Sequence, residues 1–181
     1  MDAIAAYLPA GDKGYLPYYM FTLSLIAVGN SLQNYMTLHF SRRFYNGRFV
    51  PNKALPAKTA TFNPEDSTNK LLPVAADYDT TTSGKGKTAS VDQVTPLAAR
   101  LFGTYTLISA IVRLYASYHL NLEPVYMMAM STYLVALAHF ATEYFFYKTY
   151  YMGGPQLMPF LFATSGTVWM VMQKSYYVEA L

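Results

Sequence analysis

The chain has 181 residues, of which 53% are hydrophobic, 17% aromatic and 13% charged. This composition is too apolar for an ordinary soluble domain of this length, so the lipid bilayer is the expected solvent. The formal net charge of +3 indicates no nucleic-acid-binding surface, and the lack of cysteine excludes disulfides, thiolate catalysis and cysteine-based zinc sites.

The first apolar segment predicts a membrane-spanning helix. Residues 15–40 contain no Asp, Glu, Lys or Arg, and this run exceeds the roughly 20 residues that cross a hydrocarbon core. We expect span 1 at about residues 16–39, ended by Arg42 and Arg43. The run is far too long for the core of a signal peptide, so it should remain in the membrane.

Residues 41–95 predict a long polar loop that is partly disordered. The segment has four prolines, a run of small polar residues and lysines, and no helical periodicity. Residues 83–88 resemble the end of a phosphate-binding loop, but Thr81 stands where that motif requires glycine. We therefore interpret this stretch as a solvated linker.

Three further apolar segments follow the loop. We expect spans 2, 3 and 4 at about residues 97–119, 124–147 and 155–173. Their links are only a few residues long, so these helices should pack as antiparallel neighbours. Tyrosine and phenylalanine crowd the predicted helix ends, which is typical of the two membrane interfaces. The sequence thus predicts an all-α, single-domain, four-transmembrane-helix bundle with its long loop between helices 1 and 2.

The distribution of lysine and arginine predicts the orientation of the bundle. Two basic residues flank the spans on the side of the termini, and ten lie on the side of the long loop. Because basic residues are enriched on the cytosolic side of membranes, we expect a cytosolic loop and lumenal termini.

Polar residues inside the predicted spans are the candidate functional residues, since they cost free energy in lipid. Counting ~1.5 Å of rise per residue places a polar cluster in the cytosolic half. Its members are Asn30, Gln33, Asn34, Arg100, Thr104, His139 and Glu143. The simpler interpretation is interhelical hydrogen bonding that fixes the bundle, and the other is a proton relay or ligand site.

Depth also suggests how the charged residues are placed. Arg100 and Glu143 fall at a similar depth and could form an ion pair, whereas Arg113 lies too far along the membrane normal. We expect Arg113 to extend to the lumenal headgroups. Small residues at 99 and 103, and at 163 and 166, would allow close approach between helices.

The spacing of the histidines argues against a catalytic metal centre. His39, His119 and His139 are too far apart in sequence for the paired Glu-x-x-His motifs of di-iron bundles. No Rossmann-type glycine motif is present either. We therefore expect no catalytic residue, no metal and no cofactor.

Four stretches in the spans resemble the ergosterol biosynthetic protein 28 family. Residues 100–119, which begin Arg-Leu-Phe-Gly-Thr-Tyr, are similar to its most characteristic segment. Residues 30–35, 138–143 and 169–178 agree with it, and Trp169 is a candidate interaction residue from the last of these. In the loop, residues 60–67 look like an insertion of filamentous-fungal members. Tyr105 departs from the pattern, since the family is expected to have tryptophan there.

The resemblance implies a non-catalytic scaffold of the endoplasmic reticulum membrane. Such a scaffold would hold together the sterol C-4 methyl oxidase, the C-3 dehydrogenase/C-4 decarboxylase and the 3-keto-sterol reductase of sterol C-4 demethylation. The resemblance also allows three further partners, namely other sterol enzymes, membrane lipids and a second copy of the chain. Arg42 and Arg43 could contact acidic partner surfaces or anionic headgroups, or they could serve only as topology anchors.

Two alternatives to the scaffold remain open from the sequence. The first is a sterol- or lipid-binding protein that carries its ligand in a pocket of the aromatic-rich bundle. The second is an enzyme of unrecognised type that uses His139 and Glu143.

Overall fold

The computed structural model describes residues 7–9, 14–45, 48–51, 71–73, 91–92, 94–150, 152–154 and 157–178. Four long helices dominate this part of the chain, and one short helix follows the first of them. In chain order the helices are α1 (Leu16–Met36), α2 (His39–Phe44), α3 (Pro96–Ala116), α4 (Glu123–Phe145) and α5 (Leu157–Tyr177). The long elements are therefore all helical and occur in the predicted order.

Local sequence signals explain how the long helices begin. Proline occupies one of the first two helical positions of α1, α3 and α4, where its missing N–H breaks no intrahelical bond. At the start of α3, the Thr95 hydroxyl also accepts a 3.1 Å hydrogen bond from the Ala98 N–H. Such a cap satisfies one of the N–H groups that the first turn leaves unpaired.

Several helix ends differ from the prediction, and α3, for example, ends at Ala116 rather than at residue 119. Helix α1 ends at Met36, short of residue 39, because Thr37 adopts extended backbone with φ −144° and ψ 154°. The chain then forms α2, a helical turn that the sequence pattern did not indicate. Helix α5 continues to Tyr177, beyond the predicted residue 173, although Gln173 departs from helical geometry with φ −114° and ψ 18°.

A small antiparallel sheet joins parts of the segment between α2 and α3. Its strands are β1 (Arg48–Pro51), β2 (Leu71–Pro73) and β3 (Val91–Asp92), in the order β2-β1-β3. Phe49 is paired with Pro73 on one side and with Val91 on the other. Most of the predicted long polar loop, including residues 83–88, lies outside the described residues.

The four long helices pack as two pairs. The most extensive helix contact joins α1 to α3, and the next joins α4 to α5, while α3 and α4 touch less. The predicted contacts between successive helices, α3 with α4 and α4 with α5, are therefore confirmed. One buried cluster centres on Met20, Tyr126 and Tyr133, and a second on Phe44 and Phe140.

Small residues permit the closest helix contacts, as the sequence indicated. A Cβ atom added at Gly103 would lie 3.1 Å from the Asn34 Cβ and 3.2 Å from the Ser31 carbonyl oxygen. The Ser31 hydroxyl donates a 2.9 Å hydrogen bond to the Gly103 carbonyl at this crossing. On α5, a Cβ at Gly166 would lie 2.6 Å from two ring atoms of Tyr133.

Large apolar side chains cover the outer faces of the long helices. Those more than half exposed on these helices include Leu25, Ile26, Leu32, Leu101, Ile108, Ile111, Val135, Val171 and Met172. Helices α3 and α4 are long and apolar enough to cross a membrane. An apolar exterior of this extent is characteristic of surfaces that contact lipid or other proteins.

Candidate functional site

Asn34 is a buried polar residue at the corner between α1 and α2. Its side-chain N–H group donates to the backbone oxygen and the side-chain oxygen of Asn30, at 2.9 and 2.8 Å. Its own side-chain oxygen accepts a hydrogen bond from the Ser41 hydroxyl. Because the Asn34 amide is 2% exposed and bonded through both of its ends, it stabilises the corner.

Thr104 connects α3 to α1. Its hydroxyl donates to the Arg100 carbonyl at 2.9 Å and lies 2.6 Å from the Tyr35 hydroxyl. The structure thus places Asn30, Asn34 and Thr104 in hydrogen bonds within and between helices. Gln33, by contrast, is exposed and lines a cavity between the two helix pairs.

Arg100 and Glu143 do not form the expected ion pair. Arg100 is exposed on α3. The Glu143 carboxylate accepts a hydrogen bond from the Thr149 hydroxyl, and its backbone oxygen accepts from the Thr149 N–H at 3.0 Å. The link after α4 therefore folds back onto Glu143. Thr149, rather than Arg100, is the hydrogen-bond partner of its carboxylate.

His139 lies in an aromatic environment. Its Nε2 atom and the Tyr45 hydroxyl are joined by a 2.6 Å hydrogen bond, and the rings of Phe102 and Tyr105 lie 6.4 Å from its ring. Outside the helices, burial raises the pKa of Tyr45 well above its ordinary value and raises the pKa of Tyr150 to about 12. Both phenols are therefore neutral at physiological pH.

A cavity of about 540 Å³ adjoins His139, and we call it the His139 cavity. It lies where the His139 end of α4 faces the start of α3. Its lining is mostly apolar, with exposed Leu101 and Val135 among its residues. Its polar side chains are Ser41, Tyr45, Tyr105, His139, Glu143 and Thr149.

Arg113 does not extend to the headgroups, which corrects the sequence-based expectation. Its Nε donates to the Thr132 hydroxyl at 2.8 Å, and a terminal nitrogen donates to the Thr132 carbonyl at 3.0 Å. The guanidinium carbon lies 3.9 Å from the ring centre of Tyr133. Because α4 offers two acceptors and an aromatic face, the side chain turns into the bundle.

A second cavity, of about 510 Å³, lies between the two helix pairs, and we call it the Arg113 cavity. All four long helices contribute to its lining, and α2 adds Phe40 and Phe44. Phe102 and Tyr105 separate it from the His139 cavity, since both residues line both spaces. Among the described residues that line this cavity, Arg113 is the one with a charged side chain.

Trp169 and the two arginines after span 1 complete the predicted set. The indole N–H of Trp169 donates to the Gln173 side-chain oxygen at 2.6 Å, and its ring lies 5.5 Å from that of Tyr19. Trp169 therefore contributes to the contact between α5 and α1. Arg42 and Arg43 lie on α2, and their side chains are outside the described part of the structure.

Sequence reasoning missed the tyrosines that organise α4. Tyr126 and Tyr133 are fully buried, and the Tyr126 hydroxyl donates a 2.6 Å hydrogen bond to the Met170 carbonyl on α5. Their separation of seven residues places them on one face of the helix. That periodicity was a usable signal, because a lipid-facing surface has no need of two phenols at this spacing.

The described residues bring no three His, Cys, Asp or Glu side chains together as metal ligands. At the other end of α4, Lys174 and Glu123 form a 2.6 Å ion pair between partly exposed side chains. The arrangement can therefore pack helices against one another and enclose apolar molecules. The polar contacts described above hold its helices in place.

These features define a helical-bundle protein with an apolar exterior and two mostly apolar cavities. The sequence model of the family described as "Erg28 like protein" matches residues 16–168. The chain is 53% identical to ergosterol biosynthetic protein 28 of Gibberella zeae, over 99% of each chain. It is 29% identical to the proteins of that name from Candida albicans, over 95% of this chain and 94% of the relative, and from Saccharomyces cerevisiae, over 94% and 87%. The chain therefore belongs to the Erg28 family, whose members are named for ergosterol biosynthesis, as the sequence resemblance indicated. No solved structure matches it.

Proposed function

We propose that this chain is a non-catalytic scaffold of sterol C-4 demethylation in the endoplasmic reticulum membrane. In this role it holds together the C-4 methyl oxidase, the C-3 dehydrogenase/C-4 decarboxylase and the 3-keto-sterol reductase. Family membership supports a role in the sterol pathway. Tethering suits such a pathway, because it raises the effective concentration of poorly soluble intermediates beside the next enzyme.

The outward apolar faces of α1, α3, α4 and α5 carry the scaffold proposal. Exposed aliphatic side chains such as Leu32, Ile108 and Val171 form surfaces that suit lipid and transmembrane partners. The polar residues inside the helices, by contrast, bond within the bundle, to backbone carbonyls or to one another. This division leaves the exterior available for docking and gives the interior a structural role.

We further propose that all four long helices cross the bilayer, with the long loop in the cytosol and both termini in the lumen. The chain has no cysteine, so single introduced cysteines report orientation without a background signal. In sealed microsomes, a membrane-impermeant maleimide should label Lys148→Cys, which faces the cytosol in this arrangement. Leu122→Cys should react only after the membrane is permeabilised. Equal labelling of both variants in sealed vesicles would contradict the orientation.

Affinity purification of the tagged chain, followed by mass spectrometry, tests the scaffold itself. After gentle extraction, all three enzymes should be enriched at least about tenfold over a mock purification. Arg42→Gln/Arg43→Gln should lower enzyme recovery if these arginines contact acidic partner surfaces, and Lys148→Gln, which removes a positive charge elsewhere on the same side, is the control. Recovery of none of the three enzymes with the unmodified chain would overturn the proposal.

Direct binding of a sterol is the second candidate function, and the two cavities favour it. Both are within the roughly 300–1,000 Å³ typical of small-molecule sites and have mostly apolar walls. Lipid extraction of the purified chain should then recover sterol at near one molecule per chain. A scaffold that also holds an intermediate would combine the two functions.

A further inference from the structure

The charge of Arg113 has no carboxylate partner within the described residues. A guanidinium has five N–H donors, and the hydrogen bonds of Arg113 to Thr132 use two of them. The Tyr133 ring offsets part of the cost of burying the charge through its π face. A cation inside an apolar helix bundle is otherwise unfavourable, so an anion at this position would be stabilised.

Arg113 lies at one end of the Arg113 cavity. From Phe102 to Arg113 the cavity follows eleven residues of α3, which corresponds to about 16 Å along the helix axis. Between these ends its walls include Leu23, Ala136, Phe140 and Phe162. The space is thus long and apolar, with a cation at one end.

The cavity has an opening between α1 and α5. Ile26 and Gly29 on α1, and Met158 and Phe162 on α5, line it and are exposed. A Cβ atom added at Gly29 meets no atom within 4 Å. If these helices span the membrane, a lipid-soluble molecule can enter sideways from the bilayer.

We infer that the Arg113 cavity binds a polycyclic carboxylic acid, with its carboxylate against Arg113 and its fused rings along the apolar wall. The inference rests on the proposed function. A decarboxylase consumes a carboxylic acid, and the oxidation of a C-4 methyl group supplies one. The scaffold would then hold the acid that one tethered enzyme makes and the next one consumes.

The chemistry of the site favours a carboxylate over other membrane components. The planar guanidinium binds carboxylates through two parallel hydrogen bonds, whereas a neutral sterol alcohol leaves the charge unpaired. Thr132, which holds the guanidinium, lies nine residues after the start of α4, or about 14 Å along that helix. This depth disfavours a phospholipid headgroup, which belongs at the membrane surface.

Binding to the purified full chain in phosphatidylcholine nanodiscs tests the inference. The probe is a radiolabelled 4α-carboxy-3β-hydroxysterol, and the comparison ligand is the same sterol with a 4α-methyl group. The acid should bind at least about tenfold more tightly, because a charge-assisted hydrogen bond replaces an unpaired charge. Arg113→Gln should abolish this preference, and Arg113→Lys should retain part of it.

A substitution at the cavity opening tests the inference even where the arginine variants do not fold. Gly29→Phe should lower binding of both ligands at least about fivefold by filling the opening. Ile111→Phe, on the outer face of α3 and away from the cavity lining, is the matched control and should change neither.

Three outcomes would overturn the inference. They are equal affinity of the unmodified chain for the two sterols, competition by oleate or phosphatidic acid as strong as that of the sterol acid, and undiminished acid binding by Gly29→Phe. The binding assay uses the isolated chain, so a negative result there contradicts only the proposed ligand. A wrong scaffold proposal would instead appear as missing enzymes in the affinity purification.

Discussion

Replacing Gly166 with alanine should lower the stability of the bundle, whereas replacing Gly29 with alanine should leave it unchanged or raise it. A Cβ at position 166 would lie 2.6 Å from Cδ1 and Cε1 of Tyr133. That ring is fully buried and contacts Arg113, so it has little room to move. Overpacking of this kind costs about 1–3 kcal/mol, which offsets and can exceed the roughly 1 kcal/mol gained in helix propensity.

Gly29 is the matched control, because its added Cβ meets nothing within 4 Å and only the propensity gain remains. Thermal unfolding of the purified chain in detergent with added lipid measures both variants. The two variants should differ by the overpacking cost of about 1–3 kcal/mol, so we expect the Gly166→Ala midpoint to be the lower by roughly 2–12 °C, given about 2–4 °C per kcal/mol at this chain length. Coincident midpoints would mean that α4 and α5 can separate at this crossing without cost.

Most of the architecture could be predicted from the sequence because its signals are local. Long apolar runs with few or no charged residues marked the four long helices, and prolines marked the start of several of them. Small residues at 103 and 166 indicated close helix contacts, and both are found there. The extensive contact between α1 and α3 could not be predicted, since a long loop separates these helices and sets no distance between them.

Arg113 shows where depth counting fails. Position along a helix gives the height of a Cα atom, but a side chain as long as arginine can turn outward or inward from it. The direction depends on which acceptors the neighbouring helix presents, and here Thr132 and Tyr133 present them. A side chain near a helix end therefore need not reach the headgroups when the bundle itself supplies hydrogen bonds.

His139 and Glu143 illustrate a related limit. The sequence placed them at the same end of the bundle, and the structure agrees. Their hydrogen-bond partners, Tyr45 and Thr149, come from segments outside the long helices. Such contacts depend on how connecting segments fold back, which periodicity and composition do not specify.

Removing one phenolic oxygen from α4 should have opposite effects at its two buried tyrosines. The Tyr126 hydroxyl donates to the Met170 carbonyl at 2.6 Å, so Tyr126→Phe removes a buried hydrogen bond between α4 and α5. We expect a loss of about 1–2 kcal/mol. The Tyr133 hydroxyl is buried and has no hydrogen-bond partner in the described structure, so Tyr133→Phe removes a group that was desolvated without compensation.

Tyr133→Phe should therefore be neutral or stabilising by up to about 1 kcal/mol, since phenylalanine keeps the ring that faces Arg113. Thermal unfolding midpoints of both variants and of the double variant, measured under one condition, test whether the two substitutions change stability in different directions. Both tyrosines are fully buried on one face of α4, so the two substitutions delete the same atom in similar surroundings. The sign of the difference then isolates hydrogen bonding from packing, and equal destabilisation by both would show that the Tyr133 hydroxyl is also bonded in the membrane.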